Sequence, residues 1–131
     1  MKFISLLLVS GFINAYAHTE FVGVLKGSAT PCSLEITHTY NEGQDLLADI
    51  VLSLEDSHHH FVGVTHGEEF LFTIKSAGGN VFSGIGANGK DQANIVTKAG
   101  KLDDISAYGV KWLHGNHFHS AQCVNLKRAQ H

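Results

Sequence analysis

Residues 105–123 read ISAYGVKWLHGNHFHSAQC, and this stretch decides the fold. Two runs that alternate between apolar and polar residues flank the dipeptide Gly115-Asn116. A two-residue connection that begins with glycine is typical of a type II′ β-hairpin. The sequence therefore predicts one antiparallel hairpin made of strands 105–114 and 117–127.

The turn also fixes which residues of the two strands lie opposite one another. His114 then faces His117, and Trp112 faces His119. One face is the more apolar and carries a cysteine, so we expect it to point inward, with its three histidines at the rim of the core. This face carries Tyr108, Val110, Trp112, His114, His117, His119, Ala121 and Cys123.

The rest of the chain repeats this pattern of short strands separated by turn sequences such as NEGQ and AGGN. We expect an all-β fold, a single-domain antiparallel β-sandwich or small barrel of about nine short strands. The predicted strands are 20–27, 32–40, 46–55, 61–67, 70–76, 81–87, 92–98, 105–114 and 117–127.

The first 17 residues, MKFISLLLVSGFINAYA, have the organisation of a signal peptide. Lys2 precedes a short apolar run, and Ala15-Tyr16-Ala17 is an A-x-A cleavage site. The apolar run is shorter than the roughly 20 residues that span a bilayer. We therefore expect a domain of residues 18–131 that is secreted, or periplasmic in a Gram-negative bacterium.

The composition limits the partners of this domain. Without Lys2, eight basic residues stand against twelve acidic ones, a formal charge of 8 − 12 = −4. No basic patch is present in the sequence, which argues against nucleic acid and anionic membranes as partners. The chain also carries ten histidines among 131 residues, so metal ions are the more natural partners.

The two cysteines, Cys32 and Cys123, are predicted to form a disulfide, because a secreted chain meets an oxidising compartment. A disulfide that closes a loop of about 90 residues contributes roughly 4 kcal/mol to the stability of the fold on the chain-entropy model. The alternative is that both cysteines bind a metal, although their spacing matches no zinc-finger pattern.

The hairpin histidines form the candidate metal site. His117 and His119 point the same way from one strand, and His114 joins them from the next. Three imidazoles that leave a fourth position open are a ligand set used for zinc or copper. The alternative is a hairpin tip whose histidines are only solvent-exposed.

His38 is a candidate fourth ligand. It falls on the inward face of strand 32–40, in the period-two pattern that includes Cys32. If this strand were the neighbour of strand 117–127, with Cys32 opposite Cys123, His38 would face His117. The alternative is a hydrogen-bonded core histidine.

Two further groups of histidines carry weaker signals. The segment DSHHHFVGVTHG (56–67) is flanked by acidic residues and is either a second cation-binding cluster or a solvated loop. His18 would become the mature N-terminus, where its amine and ring nitrogen could chelate copper.

The sequence HGNHFHSAQC (114–123) resembles the H-G-F-H-x-H segment of copper/zinc superoxide dismutases, which are β-sandwich enzymes. The resemblance implies that His117 and His119 are copper ligands and that Cys123 is a structural disulfide cysteine. The likeness covers about ten residues. The family takes its remaining ligands from downstream, where only His131 follows here, and its motif lies within one strand. We therefore do not expect dismutase activity.

The format of the chain, a signal peptide followed by a β-rich domain with one disulfide, is also similar to that of small secreted effectors of plant-pathogenic fungi. We expect a histidine-rich secreted domain that binds Zn or Cu. The alternative is an effector or interaction module that contacts a host or partner protein. No catalytic triad, nucleophile elbow or phosphate-binding loop stands out in the sequence, so an enzyme is the weakest interpretation.

Overall fold

The computed structural model of the protein describes residues 18–55 and 67–129. These ranges contain eight β-strands, and they hold no helix long and apolar enough to span a bilayer. The strands are β1 (Thr19–Leu25), β2 (Pro31–Glu42), β3 (Asp45–Leu54), β4 (Glu68–Gly78), β5 (Val81–Ile85), β6 (Gln92–Thr97), β7 (Ile105–His114) and β8 (His117–Arg128).

The eight strands form one antiparallel sheet in which each strand pairs with the next along the chain. β1 also pairs with β8, so the sheet closes into a barrel. The predicted all-β fold is confirmed, and the architecture is a small barrel rather than two packed sheets. The remaining predicted strand, 61–67, lies outside the described residues except for Gly67.

Alternation of apolar and polar residues explains how these strands enclose a core. In β3, the side chains of Ala48, Ile50, Leu52 and Leu54 are buried, and the residues between them are more exposed. The other strands contribute Phe21, Leu34, Phe72, Ile74, Phe82, Ile95, Tyr108 and Trp112, among others. An eight-stranded barrel is just wide enough to be filled by side chains. The interior is accordingly a packed core.

The up-and-down order of the strands gives the barrel two distinct ends. We call the end at which β1 begins the lower end, and the opposite end the upper end. Because neighbouring strands are antiparallel, the turn between β7 and β8 lies at the upper end. The turn between β2 and β3 lies at the lower end.

A disulfide joins Cys32 of β2 to Cys123 of β8, as predicted. The hypothetical pairing of strands 32–40 and 117–127 is wrong, however, because β1 lies between them. Cys32 is opposite Gly23 of β1, and Cys123 is opposite Leu25. The two sulfurs meet across β1 inside the barrel, with the Cα atoms 6.0 Å apart.

Candidate metal centre at the upper end

The β7–β8 hairpin has the predicted register at every pair. His114 is opposite His117, and Trp112 is opposite His119. Gly115 has a φ of 68°, whereas Asn116 is not among the residues with positive φ. This is the pattern of a type II′ turn, which places a positive φ at its first central residue. The turn chemistry therefore sets the position of the histidines.

The prediction that this face of the hairpin points inward is confirmed for those of its residues that lie within the core. Trp112 and Ala121 are buried, whereas His114 and His117 are exposed and His119 is half-buried. The two strands project beyond the last layer of the core, so these imidazoles lie on the rim of the barrel. The rim position leaves the rings accessible to an ion from solvent.

Aromatic side chains support the imidazoles from below. The ring of Phe70 contacts that of Trp112, with 5.1 Å between centroids. Trp112 in turn stacks on His119, with centroids 5.6 Å apart and the planes 20° from parallel. The centroids of His114 and His119 are also 5.6 Å apart, at 45°. Two imidazoles from neighbouring strands therefore stand side by side on an apolar floor.

The three hairpin histidines do not already enclose a common point. Within residues 18–55 and 67–129, no three His, Cys, Asp or Glu side chains converge as metal ligands would. His117 is exposed, and other staggered χ1 rotamers and a broad range of χ2 are open to such a side chain. A three-imidazole site would require His117 to rotate towards the pair formed by His114 and His119.

Comparison with protein-family models, with curated proteins and with solved structures finds no match to this chain.

The structure does not bring His38 to the hairpin histidines. His38 lies in the lower half of β2, beside Thr19 at the start of β1 and Arg128 at the end of β8. It is therefore at the opposite end of the barrel from His117, and its predicted role as a fourth ligand of that site is wrong. The reason is that β1 lies between β2 and β8 in the sheet, so these two strands do not pair as the prediction for His38 required.

The inward orientation predicted for His38 is wrong as well. The register between β2 and β3 shifts between Ile36 and His38, so that His38 is opposite Asp49 rather than Ala48. This β-bulge moves His38 to the outer face of the barrel. Its Nδ1 lies 3.9 Å from Oδ2 of Asp49, and Thr73 donates a hydrogen bond of 2.7 Å to Oδ1 of the same carboxylate. His38 therefore belongs to a surface polar cluster.

His18 and the cysteines are engaged elsewhere. Nδ1 of His18 lies 2.7 Å from Oε2 of Glu35, so the nitrogen that a copper-binding terminus would use already has a carboxylate partner. The disulfide removes Cys32 and Cys123 as metal ligands. The cluster at 56–66 lies outside the described residues.

Tyr108 is a polar core residue whose role the sequence alone did not reveal. It is only 2% exposed, and the single proton of its hydroxyl is shared between two acceptors, the backbone oxygens of Ser33, at 2.9 Å, and Ser53, at 3.3 Å. Burial raises the pKa of this hydroxyl far above its ordinary value. The tyrosine stays neutral and ties β7 to β2 and β3 across the interior. The sequence signal that could have identified this role is the position of Tyr108 on the predicted inward face of the hairpin.

Proposed function

We propose that the protein binds a transition metal ion, Zn²⁺ or Cu²⁺, at the upper rim of the barrel. The ligands are His114, His117 and His119. The observation that carries the proposal is the pair of imidazoles of His114 and His119, 5.6 Å apart, with His117 opposite His114 on the same face. Imidazole nitrogen suits both metals.

The chemistry of this site follows from its ligands. Three imidazoles leave a fourth coordination position for water or for a ligand from outside. Trp112 stacks on the lower side of His119 and shields it. The fourth coordination position would therefore face solvent. Because only neutral imidazole ligates, metal affinity should fall as the pH is lowered.

The chain carries a reporter for this test, because Trp112 is its single tryptophan and stacks on His119. Paramagnetic Cu²⁺ bound at the rim should quench the fluorescence of Trp112. Calorimetric titration with Zn²⁺ gives an independent affinity. Both measurements are made on untagged protein, since an affinity tag rich in histidine would bind the same ions.

Matched variants identify the ligands. His117→Ala and His119→Ala should each weaken binding at least tenfold, because each removes one of three ligands. His38→Ala is the control, since His38 is an exposed histidine at the opposite end of the barrel. All three variants should keep the far-ultraviolet circular dichroism of the parent. Equal affinities in all three variants, or no binding by the parent, would refute the proposal.

A second candidate function is contact with a partner protein, as in a secreted interaction module. The observation that favours it is a groove on the outer wall in which Leu71 and Ile85 are 73% and 62% exposed. Exposed apolar side chains that lie together mark contact surfaces more often than isolated ones do. A photo-crosslinker at position 71 should then capture a specific extracellular protein, while the same probe at Val96 should not.

A further inference from the structure

A polar groove crosses the outer wall of the barrel over β6, β7 and β8. Its volume is about 360 Å³. Two rows of residues, each with one member per strand, form its walls and floor. One row is Asn94, Gly109 and Gln122, and the other is Gln92, Lys111 and Ser120.

Gly109 is at the centre of this groove, and the fold gives no reason for a glycine there. Its φ is not in the left-handed region. The pairing continues without a shift through Asn94 on one side and Gln122 on the other, so no bulge requires it. A Cβ added to Gly109 would meet no atom closer than Ala121 O, at 4.0 Å.

The other glycines within the described strands each have a local reason. A Cβ at Gly23 would lie under 3.0 Å from the backbone oxygen of Val124, and one at Gly84 would lie equally close to that of Thr73. Gly78 has a φ of 104°. A glycine inside a strand lowers stability and often marks a bulge, a tight bend or a site of close approach by another molecule. Gly109 therefore points to a ligand that lies directly on the backbone of β7.

The chemistry of the lining indicates the class of ligand. Lys26 and Lys111 supply positive charge, and no Asp or Glu lines the groove among the described residues. The nearby Asp91 does not line the groove, and its Oδ1 accepts hydrogen bonds from the backbone N–H of Leu113 and from the side-chain amide of Asn88. The groove is thus basic in a domain whose formal charge is negative.

Neutral polar groups make up most of the remaining lining. Gln92, Asn94 and Gln122 each present a carboxamide, which carries both donors and acceptors, and Ser120 adds a hydroxyl. Paired donors and acceptors match the hydroxyl groups of a sugar. At the upper edge, Lys111 Nζ lies 4.6 Å from the ring centroid of Phe118, which is 52% exposed.

We infer that this groove binds an acidic saccharide chain, with its carboxylate or sulfate groups on Lys26 and Lys111 and its hydroxyls on the carboxamides. The absence of a side chain at Gly109 lets a sugar ring rest on the strand. Two lysines are too few for the multiple phosphate contacts that hold a nucleic acid. The ligand, the face and the residues all differ from those of the metal site.

The probe is tetragalacturonate, titrated calorimetrically into the full-length mature protein at low salt, with its methyl ester as the uncharged counterpart. The acid should bind, and the ester should bind at least tenfold more weakly. A heparin-derived tetrasaccharide should bind through the same lysines. Failure of both acidic tetrasaccharides to bind would overturn the inference.

Variants then place the ligand. Gly109→Ala should weaken binding at least tenfold while leaving the melting temperature unchanged or raised, because the added methyl group fills the groove without a clash. Lys111→Gln should also weaken binding at least tenfold. Lys98→Gln, in a loop at the lower end, is the control and should bind like the parent. Unchanged affinity in Gly109→Ala, or a melting temperature several degrees lower, would overturn the argument from the glycine.

Discussion

Replacing Tyr108 by phenylalanine should destabilise the barrel measurably without changing its shape. The variant loses a hydroxyl that donates to the backbone oxygens of Ser33 and Ser53 in the core. A net hydrogen bond contributes about 1 kcal/mol, and leaving a buried acceptor unsatisfied costs about 1–3 kcal/mol. We therefore expect the free energy of unfolding to fall by about 2 kcal/mol. A chain of this size has an unfolding entropy of about 0.24 kcal/mol/K, so the melting temperature should drop by about 8 °C.

The pH dependence gives the same prediction a second readout. Burial raises the pKa of Tyr108, so above pH 10 the hydroxyl ionises in the unfolded chain before it does so in the folded one. The stability of the parent that depends on this group is complete below pH 10 and falls by about 1.4 kcal/mol for each further pH unit. The difference between parent and Tyr108→Phe should therefore shrink from about 2 kcal/mol at pH 7 to below about 1 kcal/mol at pH 11.

Urea unfolding at both pH values, followed by circular dichroism, measures these differences. Tyr40→Phe is the control, because Tyr40 is 40% exposed and should change stability by less than about 0.5 kcal/mol. If Tyr108→Phe is as stable as the parent at pH 7, the hydroxyl does not hold the three strands together. A constant difference between pH 7 and pH 11 would contradict the raised pKa.

Three further predictions concern other parts of the chain. Replacing both Cys32 and Cys123 by serine should lower the free energy of unfolding by about 4 kcal/mol in denaturant titrations, and thiol labelling of the native parent should modify neither cysteine. Gly84→Ala should destabilise the barrel by about 1–3 kcal/mol in thermal melts, because the added Cβ would press on the backbone oxygen of Thr73. An unchanged melting temperature would mean that β5 can shift freely. Mass spectrometry of secreted protein should show a mature chain that starts at His18, and a start more than three residues away would refute the assigned cleavage site.

The features that the sequence predicted correctly depend on local signals such as turn chemistry. The dipeptide Gly115-Asn116 fixes a two-residue turn, and from it the pairing of His114 with His117 follows without knowledge of the rest of the fold. Period-two alternation likewise identifies the buried side chains of β3. The candidate hairpin site depends only on these local signals, which is why its register agrees with the prediction.

Closure of the barrel and the position of His38 depend on information that is not local. Pairing of β1 with β8 joins segments about 100 residues apart, and no turn sequence specifies it. The bulge at Ile36/His38 carries no glycine or proline that would signal it. A shift of one residue moves a side chain to the other face of a sheet, so this bulge was enough to reverse the orientation of His38.

The Cys32–Cys123 bond also decides how the molecule would respond to a mechanical load on its ends. The bond makes a covalent ring of the chain from residue 32 to residue 123. Among the described residues, the 14 before the ring (18–31) and the 6 after it (124–129) can then be drawn out, to roughly 70 Å at full extension. With the bond reduced, the 112 residues from 18 to 129 could be drawn out to a total length of roughly 380 Å. Tension would therefore peel away β1 and the part of β8 that follows Cys123, while the strands between the two cysteines carry no load.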